Sequence, residues 1–169
     1  MNEKKILRSN LNIQNENLKY SEDNISKLNN LIKNKIICVY IPLKSEIDIN
    51  DKLFGYQKIL TTYLDNKTLK ICKYKKPFKK NKLNVYEPET PSAESEVEVF
   101  LIPGLAFTVD GKRLGRGGGF YDQILKFYPN SLKIGLTSND RILNDIPTED
   151  HDILLNYVFT NDKYYKSWI

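Results

Sequence analysis

The segment 104–119 concentrates the residue types that bind anions. Six of the eight glycines of the chain lie in it, and the run from Gly115 to Gly119 stands beside Lys112, Arg113 and Arg116. Glycine lets the backbone take positive φ and approach a ligand closely, and a helix that begins after this run would point free N–H groups at an anion. We therefore predict a phosphate-binding loop here, with a flexible glycine turn as the alternative.

This loop does not fit the two best-known phosphate motifs. The string RLGRGGGFYD, from Arg113 to Asp122, matches neither G-x-x-x-x-G-K-[ST] nor G-x-G-x-x-G, which excludes a P-loop and a dinucleotide fingerprint. The sequence offers no Ser-His-Asp or Cys-His arrangement, and His151 is its only histidine. Covalent catalysis by a side chain is therefore not indicated.

The elements that must position the loop alternate between strands and helices. Apolar, β-branched runs predict strands at 36–41, 68–72, 97–102, 132–136 and 157–160. Apolar spacing of three or four predicts helices at 4–18, 25–32, 51–64 and 120–128, the second of them capped by Ser21. The basic and proline-rich stretches 73–82 and 86–91 are predicted to be irregular. This order predicts one α/β domain over residues 1–169, doubly wound, with a mostly parallel sheet and helices on both faces.

Composition sets broader limits on the class of protein. A chain of 169 residues is long enough for one core, and no apolar run approaches the roughly 18 residues of a membrane span, so we expect a soluble protein. Cys38 and Cys72 lie in apolar runs without metal-ligand spacing, which favours a reducing cytosol. The net charge of +5 favours an anionic partner, or else reflects a compositional bias of the genome.

Several motifs resemble those of the 5-formyltetrahydrofolate cyclo-ligase (methenyltetrahydrofolate synthetase) family. The strongest are Pro103-Gly104-Leu105-Ala106-Phe107, the string RLGRGGGFYD, Lys133-Ile134-Gly135 and Pro147-x-Glu149-x-His151-Asp152. Weaker matches are Lys4, Leu7-Arg8, Tyr40-Ile41-Pro42 and Glu46-Ile47-Asp48. The resemblance covers almost the whole chain, except that residues 73–97 contribute little.

The resemblance implies a cytoplasmic enzyme that uses ATP and Mg²⁺ to cyclise 5-formyltetrahydrofolate to 5,10-methenyltetrahydrofolate. It implies release of ADP and phosphate through a phosphorylated formyl intermediate. The expected partner is this small molecule, in a simple or polyglutamylated form, rather than nucleic acid or a membrane, and the expected state is a monomer.

The resemblance also assigns roles to residues. It implies ATP binding by Lys4, Arg8, Arg113, Leu114, Gly115, Arg116, Gly117, Gly118, Gly119, Phe120 and Tyr121, with catalytic roles for Arg116 and Tyr121. It implies magnesium binding by Asp122 and Asp152, and folate binding by Ile41, Glu46 and Phe120.

Three positions depart from the family pattern. Phe120 stands where the family has the first tyrosine of GYYD, Thr108 where aspartate is common, and Arg141 where glutamine is frequent. These differences concern substrate contacts more than ATP binding.

Other interpretations of the same residues remain open at this point. Residues 73–82 could form a solvated loop, contact a polyglutamate tail, or bind nucleic acid with Tyr74 and Phe78 as stacking platforms. A nucleic-acid module leaves the glycine loop unexplained, and a phosphosugar isomerase leaves the pair Asp122 and Asp152 unexplained. Glu46 could also be a surface residue, and Asp122 an ordinary first-turn carboxylate.

Overall fold

A computed structural model describes residues 2–11 and 18–169 of the chain. A seven-stranded sheet with strand order β11-β10-β9-β6-β1-β2-β3 forms the centre of the fold. Its strands are β1 (Ile36–Cys38), β2 (Lys58–Asp65), β3 (Thr68–Lys73), β6 (Val99–Ile102), β9 (Leu132–Leu136), β10 (Tyr157–Phe159) and β11 (Tyr164–Lys166). Two small hairpins pair β4 (Phe78–Lys80) with β5 (Tyr86–Pro88), and β7 (Ala106–Phe107) with β8 (Arg113–Leu114). The described helices are α1 (Glu3–Asn10), α2 (Glu22–Ile32) and α3 (Phe120–Leu125).

The five central strands of the sheet are parallel. β1 pairs in parallel with β2 and β6, and β9 does so with β6 and β10, whereas β3 and β11 add antiparallel edges. This confirms the predicted α/β fold with a mostly parallel sheet. Since parallel strands end at the same edge, the loops after β1 and β6 emerge side by side.

Apolar side chains cover both faces of the sheet. Leu28 and Ile32 of α2 pack on one face, in a cluster with Ile37 of β1, and Ile124 and Leu125 of α3 join the cluster on the other face. The helices therefore lie on both faces, as predicted.

The motif Lys133-Ile134-Gly135 belongs to this core rather than to a ligand site. The Lys133 ammonium donates to the carbonyls of Tyr128, Pro129 and Ser131, at 3.0, 3.3 and 2.8 Å. A Cβ on Gly135 would lie 2.6 Å from the Phe107 ring. Both residues therefore hold β9 against its neighbours.

Several predicted elements form with small differences in extent. Helix α2 begins after the predicted N-cap, Ser21, whose hydroxyl accepts from Asn24 N at 3.2 Å. Strand β9 has the predicted bounds, and β1, β6, α3 and β10 are shorter than predicted.

The prediction of a helix over 4–18 was wrong in its extent. Helix α1 ends at Asn10, and Leu11 is already extended with φ −75° and ψ 117°. Residue 18 is not helical, and residues 12–17 lie outside the described part. Asparagine hydrogen-bonds the backbone locally and so disfavours helix continuation at residue 10. Within the two described ranges, no helix combines the length and apolar character that crossing a membrane needs.

The prediction of a helix over 51–64 was also wrong. A short 3₁₀ turn at Asn50–Lys52 precedes Gly55, which has φ +78°, and β2 then runs to Asp65. The apolar residues of 53–64 fit a helical period, but the β-branched run within 59–62 and a turn at Asn66, with φ +56°, favour a hairpin. Because β3 pairs antiparallel with β2, the predicted strand, helix, strand unit is absent from residues 36–73.

The region 73–91 contains more regular structure than predicted. The β4–β5 hairpin lies in it, with Lys79 opposite Glu87. Glu87 is buried and accepts from Leu64 N of β2 at 2.8 Å and from Asn81 Nδ2 at 2.9 Å. This buried carboxylate therefore holds the hairpin against the main sheet.

Candidate active site

A cleft of about 250 Å³ opens at the carboxyl edge of the parallel strands. It gathers side chains from α1, from the loop after β1, from the β4–β5 hairpin and from the segments 103–122 and 149–152. Of the residues assigned to the site from sequence, only Leu114 does not line it. Leu114 is fully buried in a cluster with Leu105, Ala106 and Ile146. The residues that line the cleft are Lys4, Arg8, Ile41, Glu46, Arg113, Gly115, Arg116, Gly117, Gly118, Gly119, Phe120, Tyr121, Asp122 and Asp152.

The glycine loop needs its glycines at two positions. Gly117 has φ +105° and Gly119, which caps α3, has φ +67°, and side chains other than glycine adopt these angles only with strain. Arg8 of α1 reaches this loop and donates from Nε to the Gly115 carbonyl at 2.8 Å. A Cβ on Gly117 would lie 3.6 Å from the Arg8 guanidinium. The loop and the first helix therefore form one cationic wall.

Arg113 and Asp122 form a largely buried ion pair behind this wall. Nη2 of Arg113 donates to Oδ2 of Asp122 at 2.9 Å, with side-chain exposures of 7% and 14%. Oδ1 of Asp122 accepts from Ile153 N at 3.3 Å, and the guanidinium lies 5.6 Å from the centre of the Tyr121 ring. Asp122 thus uses one oxygen to orient Arg113 and the other to fix the segment that carries Asp152.

Lys4 and Asp152 join the first helix to the segment 149–152 at the cleft. The Lys4 ammonium lies 2.5 Å from Oδ2 of Asp152, and Glu149 N donates to the same oxygen at 2.7 Å. Burial alone would raise the pKa of Asp152, but these bonds outweigh it and lower the pKa below its usual range. Ligand atoms of Glu149, His151 and Asp152 lie within 4.8 Å of one another. Sequence reasoning assigned no role to Glu149, although it stands in the motif that pointed to Asp152.

The predicted phosphate residue Arg116 contacts the predicted folate residue Glu46. Nε and Nη2 of Arg116 both lie 3.3 Å from Oε1 of Glu46, and Nη2 also donates to the Ser45 hydroxyl at 2.6 Å. Oε2 of Glu46 accepts from Leu43 N at 3.0 Å. The sequence argument assigned these residues to different ligands, but the structure places them in one ion pair.

The Tyr121 hydroxyl stays protonated near neutral pH. Burial, followed by the neighbouring Cys38 and Glu46, raises the pKa of its hydroxyl well above the usual value. The Thr62 side chain of β2 acts in the opposite direction and lowers this pKa, but burial outweighs it. A phenol that stays protonated near neutral pH is not available as a general base there, but it can donate a hydrogen bond to a ligand oxygen.

The three departures from the family pattern lie in different surroundings. Phe120 lines the cleft. Thr108 is buried, and its hydroxyl contacts Asp110 and accepts from Lys112 N at 3.0 Å, so it forms a turn. Arg141 is buried and donates to the Ser45 carbonyl at 2.6 Å, which supports the loop that carries Glu46.

Sequence reasoning missed one side of the cleft. The residues that form it come from β2, β3 and the β4–β5 hairpin, and they are Thr62, Tyr63, Leu69, Asn81, Leu83, Val85 and Tyr86. The helical spacing in 53–64 predicted a helix, and the lysine-rich composition of 73–82 predicted an irregular loop, so neither pattern indicated this wall. Tyr74 and Phe78, the aromatic residues within the basic run, do not line the cleft, whereas Tyr86 beyond its end does.

The fold and the cleft together define an α/β protein whose ligand site places guanidinium groups beside carboxylates. The sequence model of the 5-formyltetrahydrofolate cyclo-ligase family matches residues 3–161. A curated 5-formyltetrahydrofolate cyclo-ligase of Mycolicibacterium smegmatis is 32% identical over 145 residues, which are 76% of this chain and 75% of that protein. The chain therefore belongs to the 5-formyltetrahydrofolate cyclo-ligase family, whose members are ligases.

Alignments with other curated relatives are shorter. The mitochondrial 5-formyltetrahydrofolate cyclo-ligase of Arabidopsis thaliana is 33% identical over 102 residues, which span 47% of this chain and 37% of that protein. The match to the enzyme of Escherichia coli K12 likewise spans about half of each chain.

A solved structure supports the fold assignment. The NMR structure of the Aquifex aeolicus 5,10-methenyltetrahydrofolate synthetase superimposes with a TM-score of 0.75 at 24% identity, and the match covers 96% of this chain and 89% of that one. At this identity the likeness concerns the fold.

Proposed function

We propose that this protein uses ATP and magnesium to cyclise 5-formyltetrahydrofolate to 5,10-methenyltetrahydrofolate, with release of ADP and phosphate. The reaction in this proposal is the one that the name of the family describes. The observation that carries the proposal for this chain is that one cleft holds three guanidinium groups, of Arg8, Arg113 and Arg116, together with the Glu46 carboxylate. The guanidinium groups suit a polyphosphate, and the carboxylate suits a ring with N–H donors bound next to it.

The reaction needs activation of an amide-like oxygen. The formyl oxygen of the substrate attacks the terminal phosphorus of ATP, the bond to ADP breaks, and a phosphorylated formyl group forms. The nitrogen N10 then attacks the formyl carbon and loses its proton, and phosphate leaves with the former formyl oxygen. Phosphate is a far better leaving group than the unactivated oxygen, so no side-chain nucleophile is required.

In this proposal the side chains of the cleft position groups and stabilise charge. Arg8, Arg116 and the N–H groups of residues 115–119 would bind the phosphates and stabilise charge on the transferring phosphoryl group. The Tyr121 hydroxyl would donate to an oxygen. Arg113, oriented by Asp122, would add positive charge behind the loop and so attract the phosphates. Lys4 would be a further cation of the nucleotide site. Ile41 and Phe120 would provide apolar contacts to the folate ring beside Glu46.

The carboxylates of the cleft suit a magnesium ion chemically, because Mg²⁺ prefers oxygen ligands. The bonds that Asp152 accepts from Lys4 Nζ and Glu149 N both end on Oδ2, and Oδ1 lies 3.9 Å from Nε2 of His151. Asp152 would contribute Oδ1. Asp122 would be the second carboxylate by exchanging the 3.3 Å bond from Ile153 N to its Oδ1 for the metal, while Oδ2 keeps Arg113. Magnesium would neutralise phosphate charge when bound.

The basic hairpin extends the proposal to the form of the substrate. Leu83 and Tyr86 line the cleft, and the neighbouring Lys79, Lys80 and Lys82 are exposed. None of these lysines forms an ion pair within the described part of the chain. We therefore propose that they attract the carboxylates of a polyglutamate tail that leaves the cleft on this side.

The test is direct. Purified protein mixed with 5-formyltetrahydrofolate, ATP and Mg²⁺ should produce the absorbance of methenyltetrahydrofolate together with one ADP per product formed. Omission of ATP or chelation of Mg²⁺ should abolish both signals. A folded protein that produces neither signal under complete conditions contradicts the proposed function.

A further inference from the structure

The ion pair between Arg116 and Glu46 links two parts of the cleft that the proposed function gives to different ligands. Glu46 is nearly buried, with 9% of its side chain exposed, whereas Arg116 is 45% exposed and can move. The two residues are 70 positions apart in sequence, so only the folded cleft brings them together. Through this contact, a ligand bound at one subsite can change the affinity of the other subsite for its own ligand.

The carboxylate of Glu46 has one oxygen committed and one oxygen that Arg116 covers. Oε2 is held by Leu43 N at 3.0 Å, so the side chain keeps its position whether or not Arg116 is present. Oε1 accepts both contacts from Arg116. A ring that presents N–H donors to Glu46 must therefore compete with the guanidinium for Oε1.

Arg116 has an alternative partner when a nucleotide is bound. It stands inside the glycine loop, and a phosphate is a stronger bidentate acceptor for a guanidinium than a single carboxylate oxygen. We propose that Arg116 exchanges partners: it covers Glu46 in the nucleotide-free protein and turns to the phosphates when nucleotide binds, which uncovers Glu46 for folate. This inference rests on the proposed function of the cleft.

The exchange predicts positive coupling between the two ligands. The pair is partly exposed, so releasing it changes affinity modestly, by about two- to fivefold. Binding of a non-hydrolysable ATP analogue should therefore tighten 5-formyltetrahydrofolate by this factor. By thermodynamic linkage, 5-formyltetrahydrofolate should tighten the analogue equally.

Calorimetric titration of 5-formyltetrahydrofolate into the nucleotide-free protein, and into the protein saturated with analogue and Mg²⁺, measures this coupling. In Arg116→Ala, Glu46 is permanently uncovered, so nucleotide-free protein should bind folate two- to fivefold more tightly than the parent and should gain nothing from the analogue. Ser45→Ala removes the 2.6 Å bond that helps to hold Arg116 and should give an intermediate result. Lys44→Ala, an exposed cation in the same loop that does not line the cleft, controls for the loss of positive charge.

The outcomes separate this inference from the proposed function. A parent protein that binds both ligands and turns them over, but whose folate affinity ignores the analogue, overturns the exchange alone. Weaker folate binding by nucleotide-free Arg116→Ala than by Lys44→Ala also overturns it. A parent protein that binds no 5-formyltetrahydrofolate in either state overturns the proposed function and the exchange together.

Discussion

Replacing Asp122 by asparagine tests whether this carboxylate stabilises the metal-free protein through its ion pair with Arg113 or serves only as a metal ligand. The side chains of Asp122 and Arg113 are 14% and 7% exposed and are joined at 2.9 Å. Removing one partner of a fully buried ion pair costs about 3–5 kcal/mol. Asparagine keeps an oxygen that can still accept a hydrogen bond, and the pair retains some contact with solvent. We therefore expect a loss of about 2 kcal/mol, which in a domain of this size lowers the melting midpoint by about 4–8 °C.

The assay is thermal unfolding in buffer with a chelator, so that no metal contributes. A double-mutant cycle with Arg113→Met should give a coupling of about 1–2 kcal/mol between the two side chains. The exposed pair Lys70 and Asp65, taken through the same cycle, should show no measurable coupling. If Asp122 were a carboxylate kept unpaired for magnesium, Asp122→Asn would leave the midpoint unchanged or raise it. That result would refute our reasoning about this pair.

Three further predictions concern charged groups in the cleft and in the hairpin beside it. The pKa of Asp152 is lowered in the folded protein, so the ionised carboxylate stabilises the fold fully above the ordinary carboxyl range, and this stabilisation is lost as pH falls from about 4 through the folded pKa. The urea midpoint of Asp152→Asn should therefore be lower than that of the parent protein at pH 7. Below pH 4 it should fall less steeply with pH than that of the parent. Glu46→Gln should raise the KM for 5-formyltetrahydrofolate about tenfold, by weakening a charge-assisted bond, and should change the KM for ATP much less; equal effects on both would remove Glu46 from the folate site. A triple variant with alanine at Lys79, Lys80 and Lys82 should raise the KM for polyglutamylated substrate more than the KM for the monoglutamate. This difference should disappear at high salt. A difference that does not depend on salt would point to altered packing instead.

The residues of 97–122 that line the cleft could be selected from the sequence because the signals there are local. The glycine run, its flanking arginines and the apolar strand before it are contiguous within 97–122, and helical or strand periodicity in that segment reflects real burial. The cap at Ser21 is similarly a local signal that needs no tertiary information. These features follow from which backbone angles and which neighbours each residue permits.

The wall formed by β2, β3 and the β4–β5 hairpin could not be predicted in the same way. Leu53, Tyr56, Leu60 and Leu64 satisfy a helical period, yet Leu60 is buried because β2 adds to β1, a pairing that periodicity does not reveal. Glu87 looked like part of an exposed acidic stretch until its hydrogen bond to Leu64 N showed it to be buried. Long-range contacts decided both cases.

The bond between Lys4 and Asp152 joins positions 148 residues apart. Contacts with such separation carry a large loop-closure cost and form slowly. During synthesis on the ribosome, Lys4 would have no contact with Asp152 until the chain had emerged at least as far as that residue. The glycine loop and β1 could already be arranged by then, but the cleft would lack its last wall. The nucleotide binding that we propose should consequently appear only after the segment that carries Asp152 has been synthesised and has folded against the first helix.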